Sequence, residues 1–304
     1  MNLRRISVGL MAVVVTLSMS GIVKAATQVN LGTATSFAVL AGTAVTNIPL
    51  SNITGDVGLS PAAGSNYAGL TAAEVIGTIY DVNGTGPGGS VNNPGLLTNA
   101  KNDLTAAYID AAGQPVTTAL VAADNQLGGQ TLIPGVYSFG TAATANLIGT
   151  LTLDAQGDPD AVFIFQASAD LVTASNSVVQ MINGGQACNV FWQVTSSATL
   201  GTTTTFVGSI LALTSIADNG SSNVNGRLLA RNGAVTLSST TIIVPACAVS
   251  GTGTGTGGST GGSLAGTSGD YVISSTIGIV LVATVASVYV VPVVVSEIRK
   301  YKAK

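Results

Sequence analysis

Near the end of the folded part of the chain, Phe206-Val207-Gly208-Ser209-Ile210-Leu211-Ala212-Leu213 recurs 18 residues later as Val224-Asn225-Gly226-Arg227-Leu228-Leu229-Ala230-Arg231. A partial third copy starts at Ile242, again 18 residues on. Fixed-period self-similarity, with short apolar strands and Gly, Asn or Ser between them, predicts a β-solenoid. A single coil cannot bury its inward side chains alone and must stack on the next. Eighteen residues suffice for one three-sided coil. Upstream the period loosens, but strands persist: residues 162–166 and 190–194 read as a pair offset by 28, and Leu151-Thr152-Leu153 alternates like a half-buried strand.

Two stretches break the strand pattern. Residues 96–112 place Leu97, Leu104, Tyr108 and Ala111 on one helical face and stop at Gly113, which predicts one helix packed along the coils. Residues 60–94, rich in Gly, Asn and Pro, read as an excursion that caps a coil end, where a bare strand edge invites aggregation. The body is expected to span 26–249. Within it, Trp192 shares a strand face with Val190 and Val194 and is expected in the core, while Arg227 and Arg231 are expected as a solvated pair at a coil edge.

The ends carry a different signal. Arg4 and Arg5, an apolar run to Val23 and small residues around Ala25 predict a secretory signal over residues 1–25. Residues 250–270 are almost all Gly, Thr and Ser, a flexible tether. Residues 271–296 carry no charge and are long enough to span a bilayer as a helix, and residues 297–304 form a basic tail that marks the cytoplasmic side. The expected location is the cell surface, with anchoring in the cell membrane, or secretion if the tail is removed.

Composition removes whole function classes. The chain has no histidine, so Ser-His-Asp and Cys-His catalysis and imidazole metal sites are excluded. Residues 26–270 hold three basic residues, Lys101, Arg227 and Arg231, against twelve acidic ones, which argues against nucleic acid as a partner. Cys188 and Cys247 lie in the exported part and are candidates for a disulfide, with two buried thiols as the alternative. Asp154, Asp158 and Asp160 are read as a turn shaped by Gly157 and Pro159; calcium would need six to eight oxygen ligands.

Just before each periodic apolar residue lies a small polar patch: Thr202-Thr203-Thr204-Thr205, Gly220-Ser221-Ser222-Asn223 and Ser238-Ser239-Thr240-Thr241. Thr43-Ala44-Val45-Thr46 and Thr173-Ala174-Ser175-Asn176 have the same character. If all five stack, their side chains form an uncharged grid with about 4.7–4.9 Å between coils. Hydroxyls with methyls can hold surface water in a lattice, so one reading is a surface for ice. The other is that Thr and Ser simply favour exposed strands.

Leu31-Gly32-Thr33-Ala34-Thr35-Ser36-Phe37-Ala38-Val39-Leu40-Ala41-Gly42, Thr54-Gly55-Asp56-Val57-Gly58, Asp103-Leu104-Thr105-Ala106-Ala107-Tyr108, Leu153-Asp154-Ala155-Gln156-Gly157-Asp158-Pro159 and Ala187-Cys188-Asn189-Val190-Phe191-Trp192 resemble the microbial family of secreted ice-binding proteins, across roughly residues 29–248. The resemblance implies a mainly β fold: a right-handed, three-faced, discontinuous β-solenoid with one long helix alongside and a capping insertion. It further implies an ice surface as the partner; the protein is expected to be monomeric and non-enzymatic, without cofactor or metal. In that family a flat face carries Thr, Ala or Gly, any residue, then Thr or Asn. On this chain that motif assigns the ice-binding face to Thr43, Thr46, Thr173, Ser175, Asn176, Thr202, Thr204, Ser222, Ser238 and Thr240. Thr203, Gly220, Ser221 and the serines of the last patch depart from it. The rival readings are a surface adhesin for polysaccharide or another cell, and a carbohydrate enzyme using the aspartates.

Overall fold

The structure, a computed structural model, describes residues 25–120 and 125–247. Residues 1–24 of the expected signal, the tether, the apolar run 271–296 and the basic tail lie outside the described residues. Among the described residues no helix is long and apolar enough to cross a membrane.

Every strand pairing among the described residues is parallel, in one 16-stranded and one 7-stranded sheet. The larger sheet supplies two walls of the solenoid. The first wall runs through Val91–Asn92, Ile79–Asp81, Asp56–Leu59, Phe37–Ala41, Asn223–Ala230, Thr205–Ala212, Val190–Val194, Phe163–Ala167, Gly135–Phe139 and Thr118–Leu120. The second runs through Thr131–Leu132, Thr150–Asp154, Val178–Ile182, the leading halves of Thr205–Ala212 and Asn223–Ala230, Thr241–Ile243, Asn52–Thr54 and Val75–Ile76. The 7-stranded sheet is the third wall.

The first strand lies in the middle of this stack. Phe37–Ala41 pairs with Asn223–Ala230 on one side and Asp56–Leu59 on the other, so the first coil lies against the last. From there the chain winds to one end, and the α-helix Pro94–Gly113 carries it back along the first wall. Its 20 residues reach about 30 Å at 1.5 Å per residue, enough to pass about six strands. The expected helix was shorter by two residues at its start and one at its end. Asn93 Oδ1 accepts the Leu96 N–H at 3.1 Å, and Pro94 occupies the first turn, where its missing donor costs nothing.

Leu97, Leu104, Tyr108 and Ala111 are buried as the periodicity predicts, together with Ala100 and Ala107. They pack on the outward side chains of the first wall, including Phe37, Ile164, Phe191, Leu211 and Leu229. The inward side chains of the same strands, among them Phe163, Phe165, Val190, Trp192, Ile210 and Leu228, build the axial core. These strands are buried on both faces and therefore read as unbroken apolar runs.

That double burial hides the register. The structure pairs Phe163 with Val190 and Phe165 with Trp192, an offset of 27 where the apolar runs alone suggest 28. A one-residue slip would turn Phe163 and Phe165 away from the core. The 18-residue repeat pairs as read, with Phe206 opposite Val224 through Ala212 opposite Ala230, and Ile242 opposite Val224. Each of these long strands passes from the second wall to the first at a glycine. Gly208 has φ +110°, and a Cβ on Gly226 would lie 2.6 Å from the Gly208 carbonyl carbon, so the bend excludes side chains.

Trp192 is in the core, its ring stacked 3.9 Å from that of Phe165 and its Nε1 donating to Val207 O at 3.0 Å. The solvated arginine pair is not found. Arg227 is 2% exposed and donates to Thr35 O, whereas Arg231 lies over the Tyr108 ring and donates to Thr105 Oγ1. The N-terminal segment covers Arg227, an event that local sequence does not reveal. Cys188 and Cys247 are joined by a disulfide, Cα atoms 5.8 Å apart, tying the last described residues to the coil stack. Asp154 and Asp158 accept backbone N–H groups two residues on, as turn residues do.

The insertion extends the walls with partial strands Tyr67–Ala68, Val75–Ile76, Ile79–Asp81 and Val91–Asn92. Buried Asp81 gathers it by accepting from Asn83 N, Gly86 N and Ser90 Oγ at 3.0, 3.0 and 2.8 Å.

Candidate functional site

The polar patches do not form one exposed grid. Residues 202–204, 220–222 and 238–240 are the corner between the third and second walls. Thr203, Ser221 and Ser239 adopt positive φ of 58°, 57° and 49°, the left-handed conformation a tight corner requires. One residue later the side chain turns inward: Thr204, Ser222 and Thr240 are buried. In the preceding coil the left-handed residue is Asn176, φ 61°, so the stacked set there is Ser175-Asn176-Ser177 rather than residues 173–176.

The inward hydroxyls form a spine of hydrogen bonds across coils. Buried Thr173 Oγ1 lies 2.9 Å from Thr204 Oγ1, which donates to Gly201 O at 2.7 Å. Ser222 and Thr240 each donate to a different oxygen of buried Asp218. Thr240 N donates to Ser51 Oγ, which donates to Asn47 Oδ1, and Asn47 Nδ2 donates to Glu74 at 2.8 Å. Burial alone would raise the Glu74 pKa; hydrogen bonds from Asn47, Thr71 and Ser51 outweigh it and hold the carboxyl below its usual value. Thr173, Thr204, Ser222 and Thr240 are thus removed from the expected face. They satisfy corner carbonyls and one carboxylate that would otherwise be buried without partners.

Of the other expected residues, Ser175, Asn176 and Thr202 are exposed on the corner, where Thr202 Oγ1 donates to Ser175 Oγ at 2.7 Å. Thr43 is exposed before the third wall begins. Thr46 and Ser238 are half-buried on that wall. What these six share is the third wall or its border.

That wall is Ala145–Leu147, Leu171–Thr173, Ala198–Leu200, Ile216–Asp218, Val235–Ser238, Val45–Ile48 and Tyr67–Ala68, side by side. Its registers align one outward row: Asn146, Val172, Thr199, Ala217, Thr236, Thr46 and Ala68. The row contains no charge and, from Thr199 to Ala68, only Thr and Ala. Inward neighbours Ala198, Leu200, Ile216, Val235 and Leu237 are buried, which fixes the outward residues by strand alternation. Asp170 lies beside the row and accepts from Ser197 N at 3.0 Å. The sequence carries a faint signal of this row: a small residue between two inward residues, at nearly the coil period, in Ala198-Thr199-Leu200, Ile216-Ala217-Asp218 and Val235-Thr236-Leu237.

The second wall is also mostly uncharged but less regular. Its outward residues include Gln180, Asn225, Ile243 and Ile76, and a depression of about 260 Å³ opens among Thr205, Val207, Asn225, Thr241 and Ile243. The first wall is covered by the helix. Among the described residues no cluster of His, Cys, Asp or Glu could hold a metal ion.

The Ice-binding-like family matches residues 39–243. An ice-binding protein of Nostoc sp. (strain HG1) is 46% identical over 215 residues, 70% of this chain and 73% of that protein. One of Flavobacterium frigoris (strain PS1) is 38% identical over 217 residues, 71% of this chain and 76% of that protein. The crystal structure of an ice binding protein from an Antarctic biological consortium superposes with TM-score 0.64 at 38% identity, covering 73% of this chain and 94% of that one.

A structural role for the inward hydroxyls sets an expectation. Thr204→Val, which keeps the shape and removes the donor to Gly201 O, should destabilise the fold by about 1–3 kcal/mol in chemical denaturation. Ice-growth arrest per folded molecule should stay unchanged; its loss would return Thr204 to the contact surface.

Proposed function

The chain belongs to the Ice-binding-like family, and from there we propose that it adsorbs to ice through the outward face of its 7-stranded sheet. The observation that supports this reading is the register-aligned row of Thr and Ala from Thr199 to Ala68. Strand spacing sets these side chains about 4.7–4.9 Å apart. β-branching restrains the threonine χ1, so little side-chain entropy remains to be lost on contact. A charged side chain would hold its own hydration shell, whereas a hydroxyl beside a methyl accommodates ordered water. Thr202, Ser175 and Asn176 extend the surface over the corner, with Thr43 and Ser238 at its margins.

Binding involves no turnover. Adsorbed molecules pin the ice front, growth between them is forced to curve, and further growth becomes unfavourable. The depression and the longer side chains of the second wall make it the poorer template. The test is growth arrest of a single ice crystal in the presence of the purified protein. Thr236→Tyr and Thr199→Tyr should each cut the activity at least tenfold, while Thr241→Tyr on the second wall leaves it near wild type, with circular dichroism unchanged in all three. The reverse pattern would move the ice-contact surface to the second wall.

The same reading places the protein at the cell surface, exported by residues 1–25 and held by the apolar run 271–296 with its basic tail. Alkaline carbonate extraction of cells should leave it in the membrane pellet, and deletion of residues 271–304 should release it to the medium. Recovery of the full chain in the soluble fraction would contradict the anchor.

A further inference from the structure

Arg227 is a buried cation with no anionic partner among the described residues. It is 2% exposed, and its two hydrogen-bond acceptors are neutral: Thr35 O takes Nε–H at 2.9 Å and Ser209 Oγ takes one Nη1–H at 3.3 Å. Nη2 has no partner among the described residues, yet no buried side-chain nitrogen among them is sealed off unsatisfied, so this nitrogen reaches accessible space. Burial pulls the Arg227 pKa down to about 10. An uncompensated guanidinium at such a position is costly unless something pairs with it.

The space beside it is a cavity of about 430 Å³, within the range of small-molecule sites, in which Arg227 is the one charged lining residue among the described residues. The walls are otherwise apolar or neutral: Val29, Leu31, Phe191 and Pro245, with Asn30 at the rim and the Cys188–Cys247 disulfide beside them. None of the lining residues belongs to the 7-stranded sheet, so the site is independent of the ice-contact face.

We propose that this cavity binds a small monocarboxylate with a short apolar body, its two oxygens on the Nη1/Nη2 edge of Arg227 and its body against Phe191, Leu31 and Pro245. A planar guanidinium edge matches a carboxylate with two parallel hydrogen bonds. A single cation among apolar walls suits one negative charge, and the acidic body, three basic residues against twelve acidic over 26–270, disfavours multiply charged anions. The ligand would touch the N-terminal segment through Val29 and Leu31 and the last described residues through Pro245, so binding would clamp the two ends of the body together.

The test is a titration of the purified protein with sodium butyrate, read by thermal unfolding and by saturation-transfer NMR of the butyrate methyl, with sodium chloride and butylammonium chloride at equal ionic strength as controls. Butyrate should raise Tm saturably and show saturation transfer, and neither control should do so. Arg227→Gln should weaken binding at least tenfold. Because that variant removes the Thr35 contact and could disturb folding, Asn30→Trp, which adds bulk at an exposed lining position, gives up the Gly32 N bond at 2.9 Å and leaves Arg227 intact, should also block butyrate while remaining cooperatively folded without ligand. Equal effects of butyrate and chloride, no saturation transfer, or undiminished binding by folded Arg227→Gln or Asn30→Trp would each overturn the proposal.

Discussion

The parallel backbone ladder between coils is what the remaining structure rests on. Each coil can bury its inward side chains only against the coils above and below, and the ladder allows this only in one register. The eight paired positions from Thr205 opposite Asn223 to Ala212 opposite Ala230 show the constraint in full: a one-residue slip of either strand would turn its inward pair, Phe206 and Ile210 or Val224 and Leu228, out of the axial core. The same ladder lines up whatever points outward. A flat, regularly spaced surface is thus a by-product of burying the core, and its chemistry is free to be set by side chains that bear little of the stability.

A solenoid built this way has two ends and, here, a seam. The first strand lies in mid-stack, so the first coil must close against the last, and the helix Pro94–Gly113 must bridge from one end to the other. The helix also supplies the cover that lets the first wall be apolar on both faces. Closing the seam brings Thr35 over Arg227, and the disulfide holds the C-terminal exit nearby. The polar spine from Thr173 to Glu74 crosses the same junction on another edge, linking hydroxyls of the last coils to Asn47 and Ser51 of the first.

How far the sequence could be read follows from these constraints. The 18-residue coil was legible because Gly208 and Gly226 mark the same bend in both copies, and the helix was legible because Leu97, Leu104, Tyr108 and Ala111 keep a helical spacing. The offset of residues 162–166 from 190–194 was misjudged by one, since an unbroken apolar run carries no mark of which side faces inward. Val162 packs under the helix while Phe163 faces the core, and both are simply apolar. The polar patches were only partly legible for a related reason. Small hydroxyl residues are favoured on an exposed face and at a left-handed corner alike, and only φ separates Thr203 and Ser239 from Thr199 and Thr236. Burial of Thr204, Ser222 and Thr240 serves the fold, and the less conspicuous Thr and Ala of the third wall form the regular row.

If that row meets the crystal, attachment geometry must depend on it. Fluorescently labelled protein frozen into a growing single-crystal ice hemisphere reports this by the planes it stains. Wild-type protein should mark defined crystallographic planes. A variant with Thr46, Thr199 and Thr236 all changed to Tyr should leave the ice dark while remaining folded in solution. Staining by that triple variant on the same planes and at the same intensity would contradict adsorption through the 7-stranded sheet.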